Sequence, residues 1–111
     1  LLALETFVTE DSRLLFNEIA PRPHNSFHWS IEGCETSQFT QLIRAVAGLP
    51  LGRTNCYGTW QMENLLGEDM GGLGALANKA GLHIHLYGKA EPKTGRKMGH
   101  INQQISSKSI G

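Results

Sequence analysis

The chain has 111 residues, 40% hydrophobic and 18% charged, enough for one ordinary globular fold with a modest core and unlike a disordered segment. Ten Lys plus Arg balance ten Asp plus Glu, so no global field draws in nucleic acid or an anionic membrane, and any anion site must be local. No apolar run approaches the ~20 residues needed to cross a bilayer, so a soluble protein is expected.

Leu1 already lies in an apolar, strand-like stretch with no initiator methionine, as expected of a chain cut at its start. Residues 1–20 then read as two β-strands joined by the polar turn Glu10-Asp11-Ser12-Arg13. With Asp11 and Ser12 as the central turn residues, the hairpin register pairs Leu4 with Ile19, Val8 with Leu15, Phe7 with Phe16 and Glu5 with Glu18. In that register Ala3, Phe7, Phe16 and Ala20 share a face with the two glutamates. Two opposed carboxylates repel one another unless a cation sits between them, and Mg²⁺ with nucleotide phosphate suits such a pair, flanked by Asn17. Spacing alone leaves open the alternative of two solvated surface glutamates.

Residues 20–28 are too rich in Pro, His and Asn for a regular element. Pro21 and Pro23 stiffen a loop that carries Arg22, His24, Asn25, Ser26 and His28, a set suited to a small anion or an acyl phosphate, or to a loop bonded only to itself. A helix follows, capped by Thr36 or Ser37 and stopped by Gly48 and Pro50, with Phe39, Leu42, Ile43 and Val46 forming a stripe expected to be core. Cys34 and Cys56 have neither metal-ligand spacing nor the density of a disulfide scaffold, which points to free thiols in a reducing compartment.

A subdomain boundary is expected near residues 52–57, giving units 1–53 and 54–111. The second unit reads as a strand at 60–65, a small-residue helix at 72–79, a strand at 82–87 and a short strand at 98–102, with a polar, frayed end from Gln103 to Gly111. In the third of these, Leu82, Ile84 and Leu86 alternate with His83, His85 and Tyr87, as a half-exposed strand requires. The loop that follows this strand groups Lys89, Lys93, Arg96 and Lys97, either a phosphate grip or a solvated basic loop.

Three stretches in order, Asn17-Glu18-Ile19-Ala20-Pro21-Arg22-Pro23-His24-Asn25-Ser26, Thr36-Ser37-Gln38-Phe39 and Gly95-Arg96-Lys97-Met98-Gly99-His100-Ile101-Asn102, resemble the N5-carboxyaminoimidazole ribonucleotide synthetase family. Leu49-Pro50-Leu51-Gly52, Glu63-Asn64-Leu65-Leu66-Gly67 and His85-Leu86-Tyr87-Gly88-Lys89 extend the resemblance across nearly the whole chain. It implies an α+β fold: the C-terminal part of an ATP-grasp domain followed by a small, barrel-like C-terminal domain. It also implies a cytoplasmic ligase of purine biosynthesis that joins bicarbonate to the exocyclic amine of 5-aminoimidazole ribonucleotide at the expense of ATP. Mg²⁺, a homodimeric intact enzyme and a functional link to the carboxyaminoimidazole ribonucleotide mutase are implied as well.

By the same resemblance Glu5 and Glu18 are the Mg²⁺ ligands, Asn17 and Glu18 contact nucleotide, Arg22 and His24 are catalytic, and Lys89 and Arg96 hold the substrate phosphate. Phe27 departs from the family, standing where a glycine is expected. The adenine pocket and the phosphate-binding lysines of the family have no counterpart in residues 1–111, so catalysis by these residues alone is not expected. The rival readings are another ATP-grasp ligase and a non-catalytic nucleotide- or anion-binding module.

Overall fold

The computed structural model describes residues 1–105. In chain order the elements are β1 (Ala3–Val8), β2 (Leu14–Ala20), a 3₁₀ turn (Asn25–Phe27), α1 (Ser30–Gly33) and α2 (Gln38–Val46). Then come β3 (Thr59–Leu66), a second 3₁₀ segment (Gly67–Gly72), α3 (Leu73–Ala77), β4 (Leu82–Leu86) and β5 (Lys97–Ile105). The class is α+β, with one antiparallel hairpin, β1-β2, and one antiparallel sheet of order β3-β5-β4.

The hairpin keeps the expected register at its open end, where Ala3 faces Ala20, Leu4 faces Ile19 and Glu5 faces Glu18. Beyond Glu5 it slips by one, so that Thr6 faces Phe16, Phe7 faces Leu15 and Val8 faces Leu14. The expected Phe7–Phe16 and Val8–Leu15 pairs are therefore wrong. The turn is one residue longer than the one assumed: Thr9 N–H donates to the Arg13 carbonyl at 2.9 Å, and Ser12 takes the left-handed conformation with φ 62°, closing a three-residue loop. The residue added at the turn is offset by a β-bulge at Asn17, so Phe16 leaves the glutamate face.

Helix α2 begins as expected, with Ser37 Oγ accepting from Thr40 N–H at 3.2 Å, and Gly48 with φ 66° ends it. The short helix α1 was not legible, since a single turn carries no periodic pattern. Nor is the α2 stripe core: Ile43 is 65% exposed and Val46 79%. No described element covers that face, and Leu4, Leu14 and Phe16 of the hairpin are exposed as well.

The best-buried stretch lies instead in β5, where residues 98–102 are all buried between β3 and β4. This strand is longer than expected and includes Gln103, which had been assigned to a frayed end; residues 106–111 of that end lie outside the described part. Gly99 is required there, because a Cβ at this position would run into the His85 carbonyl of the neighbouring strand.

Candidate functional site

The bulge, the rigid Pro21-Arg22-Pro23 segment and the 3₁₀ turn bring the chain back across the open end of the hairpin. There His24, only 8% exposed, places Nε2 2.7 Å from Glu18 Oε1 and 3.7 Å from Glu5 Oε2. Among the described residues, Glu5, Glu18 and His24 form a cluster whose ligand atoms all lie within 4.8 Å of one another. They open onto a cavity of about 490 Å³ that Arg22, His28 and Lys97 also line.

The two hard carboxylates fit a divalent ion such as Mg²⁺. Arg22 lines the same cavity but makes no ion pair with either carboxylate among the described residues; its guanidinium donates to the Pro23 carbonyl at 2.9 Å. The other face of the His24 ring meets Ser26, with Nδ1 3.3 Å from the backbone N–H and 3.1 Å from Oγ. Ser26 thus offers a donor for one imidazole tautomer and an acceptor for the other.

Gln38 is the residue that fixes this loop, and sequence reasoning missed its role. At the first position of α2 and 8% exposed, it accepts from His24 N–H at 2.8 Å and donates to the His24 carbonyl at 2.9 Å. Its second amide hydrogen goes to His28 Nδ1 at 2.9 Å, so every hydrogen-bonding direction of its NH₂ is used. Ser30 Oγ accepts from Gln38 N–H at 3.1 Å and donates to the Phe27 carbonyl, which ties α1 to α2. The sequence offered only a polar side chain directly after a helix cap, which does not reveal a partner 14 positions earlier.

A second network joins this region to the β3-β5-β4 sheet. Glu32 of α1 accepts from His85 Nε2 at 2.6 Å and from Asn102 Nδ2 at 2.6 Å, and Asn102 also donates to the His28 carbonyl. His100 stacks between His28 and His85, with ring centroids 4.8 and 4.6 Å away, and Tyr87 Oη lies 2.8 Å from its Nδ1. The strand face of His85 is half-exposed, as expected, with His83 and Tyr87 exposed, and it carries this network at His85. Burial first, then the neighbouring imidazoles, push His100 down to about 4; burial and Lys97 lower His28.

The other expected site residues are more peripheral. Asn17 is the exposed bulge residue. Lys89 Nζ donates to the Lys97 carbonyl at 2.6 Å and stands 5.5 Å from the centre of the Tyr87 ring, while Arg96 donates to the Glu91 carbonyl at 3.1 Å. Of that basic group it is Lys97, not Lys89 or Arg96, that lines the cavity with the glutamates. Phe27 is 45% exposed and makes no part of that cavity wall.

Two outcomes follow. Gln38→Met keeps the volume but leaves the His24 N–H and carbonyl without partners, and should cost about 1–3 kcal/mol in denaturant unfolding. Because His100 and His28 bind protons less readily folded than unfolded, stability should be complete above the unfolded value of 6.5 and fall as pH drops from 6.5 towards 4. Thermal unfolding across that window should fall less steeply in His100→Phe.

Residues 1–39 match the ATP-grasp domain family and residues 61–109 the phosphoribosylaminoimidazole carboxylase C-terminal domain family. The chain is 51% identical over 102 residues to an N5-carboxyaminoimidazole ribonucleotide synthase of Brucella melitensis, covering 92% of this chain and 28% of that protein. It is 44% identical over 122 residues to a bifunctional purine synthesis protein of Dictyostelium discoideum, covering 94% of this chain and 12% of that one. Among solved structures, an N5-carboxyaminoimidazole synthase of Aspergillus clavatus in complex with ADP and 5-aminoimidazole ribonucleotide superposes with a TM-score of 0.85 at 35% identity, covering 94% of this chain and 30% of that one. With both matched families in this order, the chain belongs to the N5-carboxyaminoimidazole ribonucleotide synthetase family and corresponds to the C-terminal portion of its ATP-grasp enzymes.

Proposed function

We propose that the chain serves an ATP-dependent ligase that carboxylates the exocyclic amine of 5-aminoimidazole ribonucleotide, releasing ADP and phosphate. The observation that carries this reading is the Glu5–Glu18–His24 cluster at the mouth of a cavity shared with Arg22 and Lys97, in a chain of this family. Cations and carboxylates converging on one cleft suit phosphoryl chemistry, where charge neutralisation and positioning do most of the work.

Glu5 and Glu18 are the residues to hold Mg²⁺, which when bound supplies positive charge to both carboxylates and to the phosphoryl group in transfer. Asn17, beside Glu18, is read as a nucleotide contact. Bicarbonate activated as carboxyphosphate is attacked by the amine; the new C–N bond forms as the C–O bond to phosphate breaks. Arg22 adds positive charge near the departing phosphate. His24 is the imidazole proposed to take the proton that the amine loses: Nε2, which donates to Glu18 Oε1 at 2.7 Å, would give up that bond, with the ring proton moved to Nδ1 and held by Ser26 Oγ. Lys89 and Arg96 are the proposed ligands of the ribonucleotide phosphate, and Lys97, already on the cavity wall, fits the same charge.

The division we draw, 1–53 and 54–111, falls between the two matched family spans. The exposed apolar faces of α2 and the hairpin are the surfaces that the remaining ATP-grasp segments cover. No described helix is long and apolar enough to cross a membrane; a cytoplasmic location is proposed with the purine-ligase reading itself. The fused Dictyostelium relative supports a functional link to a neighbouring step of purine synthesis. A homodimer is the assembly proposed for the intact enzyme.

The test is ADP release by the full-length protein. Release that requires bicarbonate, rises with 5-aminoimidazole ribonucleotide and falls at least ~10³-fold in Glu18→Gln is the expected result. Bicarbonate-dependent release indifferent to that ribonucleotide assigns another ATP-grasp ligase, and no release assigns a binding module.

A further inference from the structure

Cys34 and Cys56 are 22 positions apart, yet they face each other in an isolated antiparallel bridge, with sulfurs 2.9 Å apart. The flanking hydrogen bonds identify the kind of pair: Glu35 N–H donates to the Asn55 carbonyl at 2.9 Å and Tyr57 N–H to the Gly33 carbonyl at 2.7 Å. Bonds on either side of the pair, and none between its own backbones, define the narrow site of an antiparallel ladder, where Cα atoms are about 4.5 Å apart. That separation lies within the span a disulfide bridges without backbone movement.

The frame around the pair is fixed on both sides. Asn55 Nδ2 donates to Glu35 Oε1 at 3.2 Å. The Gln41 amide grips Gly52 twice, accepting from its N–H at 3.0 Å and donating to its carbonyl at 2.7 Å. The segment that carries Cys56 is thus held against the segment that carries Cys34 by main-chain and side-chain bonds that need no sulfur chemistry.

We infer that Cys34 and Cys56 are a dithiol site that closes to an intramolecular disulfide on exchange with a small-molecule disulfide of the glutathione type. Cys56 is exposed, so its thiolate attacks first, forming a mixed disulfide and releasing one equivalent of free thiol. Cys34, half-buried, then loses its proton and attacks Cys56 Sγ, breaking the mixed disulfide and releasing the second thiol. The balance is two protein thiols and one disulfide in, one protein disulfide and two thiols out. Burial, then the hydrogen bond and charge of Cys56, push the Cys34 thiol up to about 12, which makes it the second sulfur to react. The product ties the end of α1, one residue beyond Gly33, to the segment leading into β3.

The experiment incubates the native full-length protein with oxidised glutathione, then maps peptides without reduction by mass spectrometry. A Cys34–Cys56 cross-linked peptide in wild type, reversed by dithiothreitol, is expected. In Cys34→Ser the cross-link should vanish and Cys56 should accumulate as the stable glutathione adduct, at least ~10-fold above its level in wild type. Wild type that carries glutathione on Cys56 without the cross-link, or in which both thiols stay unmodified while free cysteine in the same tube reacts, overturns the inference.

Discussion

Two carboxylates held face to face by a β-ladder are the constraint around which the hairpin and its following loop are organised. Glu5 and Glu18 cannot move apart without breaking the strand pairing that also sets Leu4 against Ile19. Their repulsion has to be met by something positive. The chain supplies a hydrogen-bond donor, His24, and holds its own guanidinium, Arg22, away on a backbone carbonyl. What remains is a carboxylate pair whose charge is left for a ligand to satisfy.

Holding His24 there requires a rigid return of the chain, and two devices provide it. The prolines at 21 and 23 limit the loop, and Gln38 locks the His24 peptide groups through its amide. Because Gln38 also bonds His28, the loop is coupled to the imidazole stack with His100 and His85, and from there to Glu32 and Asn102. His100 is 2% exposed and Asn102 fully buried, so the interior between α1 and the sheet is polar and depends on neutral imidazoles. That is why acid should weaken the structure in the range where free histidine takes up protons.

Much of this was legible in the residues. The Glu5–Glu18 pairing followed from the turn and strand pattern, and the α2 cap from Ser37. The register beyond Glu5 was not, because the extra residue in the Thr9–Arg13 turn and the bulge at Asn17 offset one another and leave no mark in the alternation of side chains. Gln38, Glu32 and Asn102 were invisible for a different reason: each acts on partners distant in sequence, the Glu32–Asn102 contact spanning 70 positions. The stripe on α2 was read correctly as an amphipathic face and wrongly as core, since periodicity tells which side of a helix is apolar but not what covers it.

Glu5 and Glu18 are proposed to hold a divalent ion that comes with a nucleotide. The most direct test is anomalous diffraction from crystals of the full-length protein grown with Mn²⁺ and a non-hydrolysable ATP analogue. A manganese peak between the Glu5 and Glu18 carboxylates is the expected result. A peak found only elsewhere, with His24 Nε2 still bonded to Glu18 and both carboxylates free of metal, would contradict it.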